Sequence, residues 1–300
     1  VRAKLGGETI GDYAFKNDTK LDNVVLPQGL KRIGESAFFG CAALTEIVIP
    51  EGALVFEHVT ITSGGSPAEN TAVSELTEYL EKRSITVSEG GFPITISINE
   101  QLEDDSYRID AVTTGENAGM TIVGGNGRGV LYGVYGFLEK YAGLRAYTPT
   151  LEVYPTEGPI FITDGNLMDF TPVFEMRIND WYRWAVGNDE TFYWCVKNGV
   201  NMIDGWWEPW SQDLGGAWDY GGLFVHTIGK LTGKTGANPC LCEESLYESA
   251  LASIRRILAE KPETTIISVS QNDTTSRCTC EKCAAVDAEE GSPSGLWIRF

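Results

Sequence analysis

The apolar positions change period several times along the chain, and each change marks a different kind of element. Over residues 1–51, the runs Val24-Val25-Leu26-Pro27 and Ile47-Val48-Ile49-Pro50 alternate with IGDYAF from Ile10 and IGESAF from Ile33. Both motifs recur after 23 residues, Ile10 to Ile33 and Leu21 to Leu44. A period in the twenties predicts a solenoid, in which each unit brings a short strand and an apolar Phe or Ile to a core that only stacking can bury. Two such units are too few to stand alone, so repeats ahead of Val1, or support from the next domain, are expected. From Ala53 the alternation at Val55 and over 58–61 predicts strand. Ser66-Pro67-Ala68-Glu69 then reads as an N-cap, a proline at the first helical position and an acid in the first turn. That helix puts Val73, Leu76, Tyr79 and Leu80 on one face. Strands follow at 94–98, 107–112 and 120–123, then a glycine-rich start to a second helix with Val130, Val134, Phe137, Leu138 and Tyr141 as its core face.

Beyond a stretch rich in Pro and Gly at 155–172, read as a linker, four short apolar runs end in polar or aromatic residues: 174–180, 200–207, 223–228 and 266–273. Helical patterns at 190–197 and 243–260 separate them, the second with Leu246, Ala250, Ile254, Ile257 and Leu258 inward. Strand and helix alternating in this way argue for a parallel sheet or barrel. Four strands are half of the eight of a (β/α) barrel, so the chain reads as a truncated piece of a longer protein. The expected organisation is α/β: repeats at 1–51, a small α/β domain at 53–165, and the first half of a TIM-type barrel at 170–300.

Composition narrows the partners. Of the 300 residues 42% are hydrophobic and 11% aromatic, ample for packed cores. Twenty-three Lys and Arg against 42 acids give a net charge of −19, which argues against nucleic acid, since phosphate binding needs a basic face. A neutral or cationic substrate fits better. No apolar run approaches the roughly 18 residues that a membrane span requires, and no export signal is visible in this piece.

The chemistry concentrates in IISVSQNDTTSRCTCEKC, residues 266–283. Its β-branched start suits a strand buried on both faces, and at the carboxyl end of such a strand, where α/β folds collect ligands and catalytic groups, stand Gln271, Asn272 and Asp273. Asp273 is the leading catalytic candidate; the competing reading is a turn or cap, which Asn and Asp also favour. Cys278, Cys280 and Cys283 follow with C-x-C-x-x-C spacing, and Cys240, ahead of Cys242, could complete a tetrahedron. A structural zinc, disulfides and free thiols all remain open, and seven cysteines rule out a complete set of internal disulfides. No cofactor for catalysis is implied.

Trp181, Trp184, Trp206, Trp207 and Trp210 cluster after the first two apolar runs, where flat rings suit either core packing or the apolar face of a sugar. Asp180 and Glu208 are the other carboxylates at strand ends, as binding or capping groups. His226, placed in the third strand, is either a satisfied core histidine or a substrate contact. Arg177 is costly to bury unpaired, so it pairs with an acid such as Asp273 or faces a ligand carboxylate. Two glycine patterns are decoys: after Gly125 and Gly127 the third glycine, Gly129, comes one residue early for a dinucleotide loop, and the GKT at 233–235 lacks the glycine a phosphate loop needs at Ile228.

Two family resemblances add to this. The pattern I-G-x-x-A-F followed by C-x-x-L-x-x-I-x-I-P resembles the BspA-type leucine-rich repeats of bacterial surface proteins, closely in the second unit and more loosely in the first, where Asp18 stands at the position of Cys41. GRGVLYGVYGFLEKYAGLRAYTP, FTPVFEMR, GVNMIDGWW, GLFVHTIGKL and the 266–283 segment, in this order, resemble the bacterial proteins grouped as domain of unknown function 4838. That family looks like the α-glucuronidases and β-hexosaminidases, with a small non-catalytic α/β domain before a barrel. The resemblances imply a secreted or cell-surface protein acting on carbohydrate, with Asp273 as acid, Asn272 beside it, and a second carboxylate beyond Phe300. A carbohydrate-binding relative with an inactive barrel, and a repeat-led adhesion or scaffold protein, are the alternatives. Sugar, linkage and oligomeric state are not written in the sequence.

Overall fold

The computed structural model describes all residues except 1, 5, 6, 35, 51, 179–188, 202–210, 217–220, 223, 235, 236, 263 and 265. The chain divides into two compact units, Val1–Asn201 with Trp210–Ala217, and Met202–Pro209 with Trp218–Phe300.

The repeats form the start of the first unit. β1 (Arg2–Lys4), β3 (Asn23–Val25) and β5 (Glu46–Val48) make a parallel three-stranded sheet, with Asn23 beside Glu46 at the offset of the sequence period. β2 (Thr9–Ile10) and β4 (Arg32–Ile33) pair in the same sense. Equivalent phenylalanines of the two units, Phe15 and Phe38, stack with centroids 5.4 Å apart, and the Cys41 thiol donates to the Phe15 carbonyl at 3.0 Å. Leu21, Val24, Leu26 and Leu30 fill the core, which Phe161 and Val55 from the following domain complete. The short solenoid leans on its neighbour, one of the two supports its length demanded.

That neighbour is a six-stranded mixed sheet in the order β15-β10-β11-β9-β7-β8. It contains β7 (His58–Ser63), β8 (Thr86–Val87), β9 (Phe92–Ile98), β10 (Tyr107–Val112), β11 (Gly119–Gly124) and β15 (Gly165–Phe170). The strands β7, β8, β9 and β11 run parallel, while β10 is antiparallel to both of its partners. Two helices lie on it, α1 (Pro67–Glu81) and α2 (Gly127–Phe137). α1 begins with a reciprocal capping box, Ser66 with Glu69. Val130, Val134, Phe137, Leu138 and Tyr141 are all buried, as their spacing requires. Glycines before and within the first turn of α2 bring it against the chain: a Cβ on Gly129 would collide with the Ser106 carbonyl and one on Gly125 with the Glu103 carbonyl. The stretch read as a linker carries structure instead. β14 (Phe161–Thr163) pairs with β6 (Ala53–Val55), and β15 completes the sheet. The first unit also contains a hairpin of β12 (Arg145–Thr148) and β13 (Leu151–Val153), and α3 (Asp189–Lys197).

The second unit contains α4 (Ile228–Thr232), α5 (Glu244–Glu260), α6 (Glu281–Glu290) and α7 (Ser294–Arg299). Ile228, Leu241 and Leu246 form its small core, with Leu296, Trp297 and Phe300 against it. No closed barrel is present among the described residues, and three of the four expected strands, at 174–180, 223–228 and 266–273, form no strand among the described residues. Residues 174–178 are mostly exposed, Phe174 at 73%, and 266–270 keep only a bridge at Ile266, with Val269 43% exposed. The second segment is therefore not buried on both faces. It runs beside 221–228, joined by Gly221 N–H to the Ile266 carbonyl at 2.8 Å and Ile228 N–H to the Ser270 carbonyl at 3.0 Å. Between these bonds the Thr227 side chain takes over from a backbone ladder: its hydroxyl donates to the Ser268 carbonyl and accepts from the Ser270 N–H. Leu258, expected inward on α5, is 43% exposed, while Leu246 and Ala250 are buried. No helix among the described residues is long and apolar enough to cross a membrane.

Candidate functional site

The end of the 266–271 segment is held in place by a residue that the sequence pattern did not single out. Asn238, 7% exposed, makes three bonds to the following loop. Its Oδ1 accepts from the Asn272 N–H at 2.8 Å, its Nδ2 donates to the Thr274 carbonyl at 3.2 Å, and its own N–H donates to the Ser276 carbonyl at 3.2 Å. A buried amide with donor and acceptor both used fixes the backbone on either side of Asp273. The sequence signal was slight: Asn before Pro239 reads as a turn. Asn272 is half-buried and its amide reaches the Ala237 carbonyl at 3.5 Å, while Asp273 projects into solvent in the bend.

His226 is exposed and lies outside any strand, at a left-handed φ of 55°. Its Nδ1 is 3.2 Å from the Gln271 carbonyl, and since a carbonyl only accepts, Nδ1 carries the proton. His226 thus meets the chain two residues before Asp273. Gln271, Asn272, Asp273 and His226 share one rim of the second unit, open to solvent.

Arg177 finds a different acid from the one expected. In the first unit its Nη2 bonds Asp105 Oδ2 at 2.7 Å, and Arg128 Nε bonds Asp105 Oδ1 at 2.7 Å. Asn126 and Asn201 also donate to Asp105, at 3.0 and 2.8 Å. Burial works to raise the Asp105 carboxyl, but Arg128 and the bonds from Asn126, Asn201 and Arg177 outweigh it and hold it below the usual carboxylate range. Asp105 went unnoticed in the sequence because it sits in a polar turn, EDDS, with no apolar period around it. Asp180, Trp206, Trp207 and Glu208, with Trp181, Trp184 and Trp210, lie outside the described residues.

The cysteines converge. The thiol sulfurs of Cys240, Cys278, Cys280 and Cys283 all lie within 4.8 Å of one another. Cys240 Sγ is 3.8 Å from Cys280 Sγ and 3.7 Å from Cys283 Sγ. Four thiolates at about 2.3 Å from a tetrahedral zinc stand about 3.8 Å apart, whereas a disulfide needs about 2.05 Å. All seven cysteines are free thiols, and these four could hold a metal ion. Cys242 Sγ, 3.4 Å from Cys283 Sγ, is a near neighbour of the set. Cys280 stands at the N-cap position of α6, where the Cys283 backbone N–H and then its thiol hold the Cys280 thiol down to about 7; burial pushes Cys240 and Cys283 up. Cys240 follows Asn238 by two residues, so amide clamp and thiol cluster tie the same two stretches, 237–243 and 272–283, together.

Comparison with known proteins places three family models along the chain. Residues 8–63 match the BspA type leucine rich repeat region, 57–137 the glycosyl hydrolase family 67 N-terminus, and 146–300 the domain of unknown function DUF4838. No curated protein matches. Among solved structures, a GH20 exo β-N-acetylglucosaminidase from Vibrio harveyi in complex with N-acetylglucosamine is 16% identical, over 73% of this chain and 34% of that one, with a TM-score of 0.34. A GH138 enzyme targeting pectin rhamnogalacturonan II is 13% identical, over 73% and 32%, with a TM-score of 0.33. CpGH84D is 10% identical, over 81% and 45%, with a TM-score of 0.36. The chain spans less than half the length of each.

Proposed function

The chain belongs to the DUF4838 family, a domain of unknown function, and from that membership, together with the glycosyl hydrolase family 67 N-terminal segment ahead of it, we propose that the protein is a glycoside-hydrolase-like enzyme acting on glycans at the bacterial surface. The observation that carries the reading is the adjacency of the two matches: a domain that accompanies a glycosidase barrel directly precedes the region holding Asn272 and Asp273. Residues 170–300 are then the first half of a (β/α) barrel. The repeats, matched at 8–63, favour secretion to the cell surface.

In this reading Asp273 is the general acid. Glycoside hydrolysis generally uses two carboxyl groups, one protonating the leaving oxygen and the other serving as base or nucleophile. Asp273 stands on a loop whose backbone is fixed on both sides by Asn238, and a proton donor needs a fixed position of that kind. Asn272 and His226 flank the acid as substrate contacts, with Trp206, Trp207, Asp180 and Glu208 as further ones. Arg177 supports the first unit through Asp105 rather than meeting substrate.

Zinc on Cys240, Cys278, Cys280 and Cys283 is proposed as a structural ion. Four thiolates suit zinc by their softness and leave no open position for a reacting water. The four residues would hold the ion and so anchor the loop carrying Asp273; no cofactor enters the chemistry. Elemental analysis of reduced protein checks the metal. About one equivalent of zinc is expected, and less than about a tenth of an equivalent, or a mapped Cys240 disulfide, counts against it. The activity is tested with the full-length protein by screening glycosides, uronic acid and N-acetylhexosamine ones included, for released sugar. Turnover of at least one glycoside supports an enzyme, and saturable glycan binding with no turnover would assign a binding protein instead.

A further inference from the structure

A cavity of about 340 Å³ opens between α1, the β12–β13 hairpin and α3 in the first unit, far along the chain from Asp273. Glu75, Glu152, Glu190, Tyr193, Trp194 and Lys197 line it. The Trp194 ring is fixed, 7% exposed, with its indole N–H donating to the Ala146 carbonyl at 3.0 Å. Lys197 is engaged: Nζ donates to Glu152 Oε2 and to the Tyr79 hydroxyl, both at 2.7 Å, and Tyr79 donates onward to Glu152 Oε1 at 2.6 Å. One lysine therefore balances one of three glutamates. Glu75 takes a hydrogen bond from the Tyr135 hydroxyl at 2.8 Å. Neither Glu75 nor Glu190 has an ion-pair partner of its own among the described residues. Burial, with the neighbouring Glu78 and Glu152 charges, pushes the Glu75 carboxyl above its ordinary range, against the Tyr135 bond and the more distant charge of Lys197.

We propose that this cavity binds a single sugar ring carrying a free ammonium group. Its volume falls at the low end of the roughly 300–1,000 Å³ usual for ligand sites, room for one ring rather than a chain. An aromatic wall beside hydrogen-bonding carboxylates suits a ring with one apolar face and a rim of hydroxyls. The surplus negative charge selects a cation over a neutral sugar. The site stands apart from the proposed chemistry and rests on none of its residues.

The test is calorimetric titration of the whole chain with glucosamine hydrochloride near neutral pH, where the amine is still largely charged and the raised Glu75 carboxyl is not neutralised by acid. Saturable one-site binding with Kd on the order of 1 mM is expected. Glucose and N-acetylglucosamine should bind at least about tenfold more weakly, and Glu75→Gln and Glu190→Gln should each weaken glucosamine about tenfold, the scale of one charge-assisted bond. Both variants preserve the fold, since a glutamine at 75 still accepts from Tyr135 and Glu190 is exposed. Absence of saturable binding, equal affinity for glucose, indifference to both substitutions, or ethanolamine binding as tightly as glucosamine would each overturn the proposal. Asp273→Asn should leave the affinity unchanged; if it abolished binding, the ligand would belong to the Asp273 rim and this assignment would fall.

Discussion

Replacing Asp105 with asparagine should destabilise the first unit more than almost any other conservative change in it. Asp105 is 2% exposed and accepts from Arg128, Arg177, Asn126 and Asn201. Its left-handed φ of 61° is one that asparagine also adopts, so the substitution isolates charge from backbone strain. Removing one partner of a buried ion pair costs about 3–5 kcal/mol because the other charge is left uncompensated. Arg128, with 9% of its side chain exposed, pays that penalty in full, whereas Arg177 at 20% regains some water. The lower end, about 3 kcal/mol, is therefore expected. With a urea m-value of about 3 kcal/mol/M, the unfolding midpoint followed by tryptophan fluorescence should fall by about 1 M. The pH dependence supplies a second signature. Because the folded carboxyl lies below its unfolded value near 4, Asp105 contributes stability above about pH 4 that is lost as pH falls through the folded value, and Asp105→Asn should lack that slope. A midpoint shift under about 0.3 M, less than about 1 kcal/mol, would refute the reasoning.

Ser66→Ala removes the capping-box acceptor of the Glu69 N–H and should cost about 1 kcal/mol, read as a proportionate fall in the same midpoint. Asn238→Ala deletes two side-chain bonds to the 272–274 backbone; amide exchange at Asn272 should speed up about tenfold or more.

What could be read from the sequence was what repeats or alternates. The 23-residue period gave the parallel strands and the Phe15–Phe38 stack, because identical units must stack in register. The cap at Ser66 and the face of α2 followed from local chemistry and a 3.6-residue period. The cysteine spacing pointed to a cluster that the fold then assembled from two stretches 38 residues apart, Cys240 and Cys278. Where contacts are long-range and polar the signal failed. Nothing near Asp105 marks it as the partner of Arg128 and Arg177, and β15 reads as linker because an exposed edge strand lacks a strong apolar pattern. The 266–270 run, apolar enough for a buried strand, instead pairs through Thr227, whose hydroxyl imitates a backbone partner and breaks the ladder that periodicity assumes.

The claim that Asp273 donates the proton in glycoside hydrolysis is tested most directly by the turnover of Asp273→Asn in the full-length protein, against a glycoside that the parent enzyme hydrolyses. General acid catalysis contributes about 100- to 10,000-fold, so kcat should fall by that factor while saturable binding of the same glycoside persists. Asparagine keeps an acceptor in the exposed bend, so a merely structural aspartate would lose about 1 kcal/mol of stability at most and almost no rate. Turnover of Asp273→Asn at the parent rate would contradict the assignment.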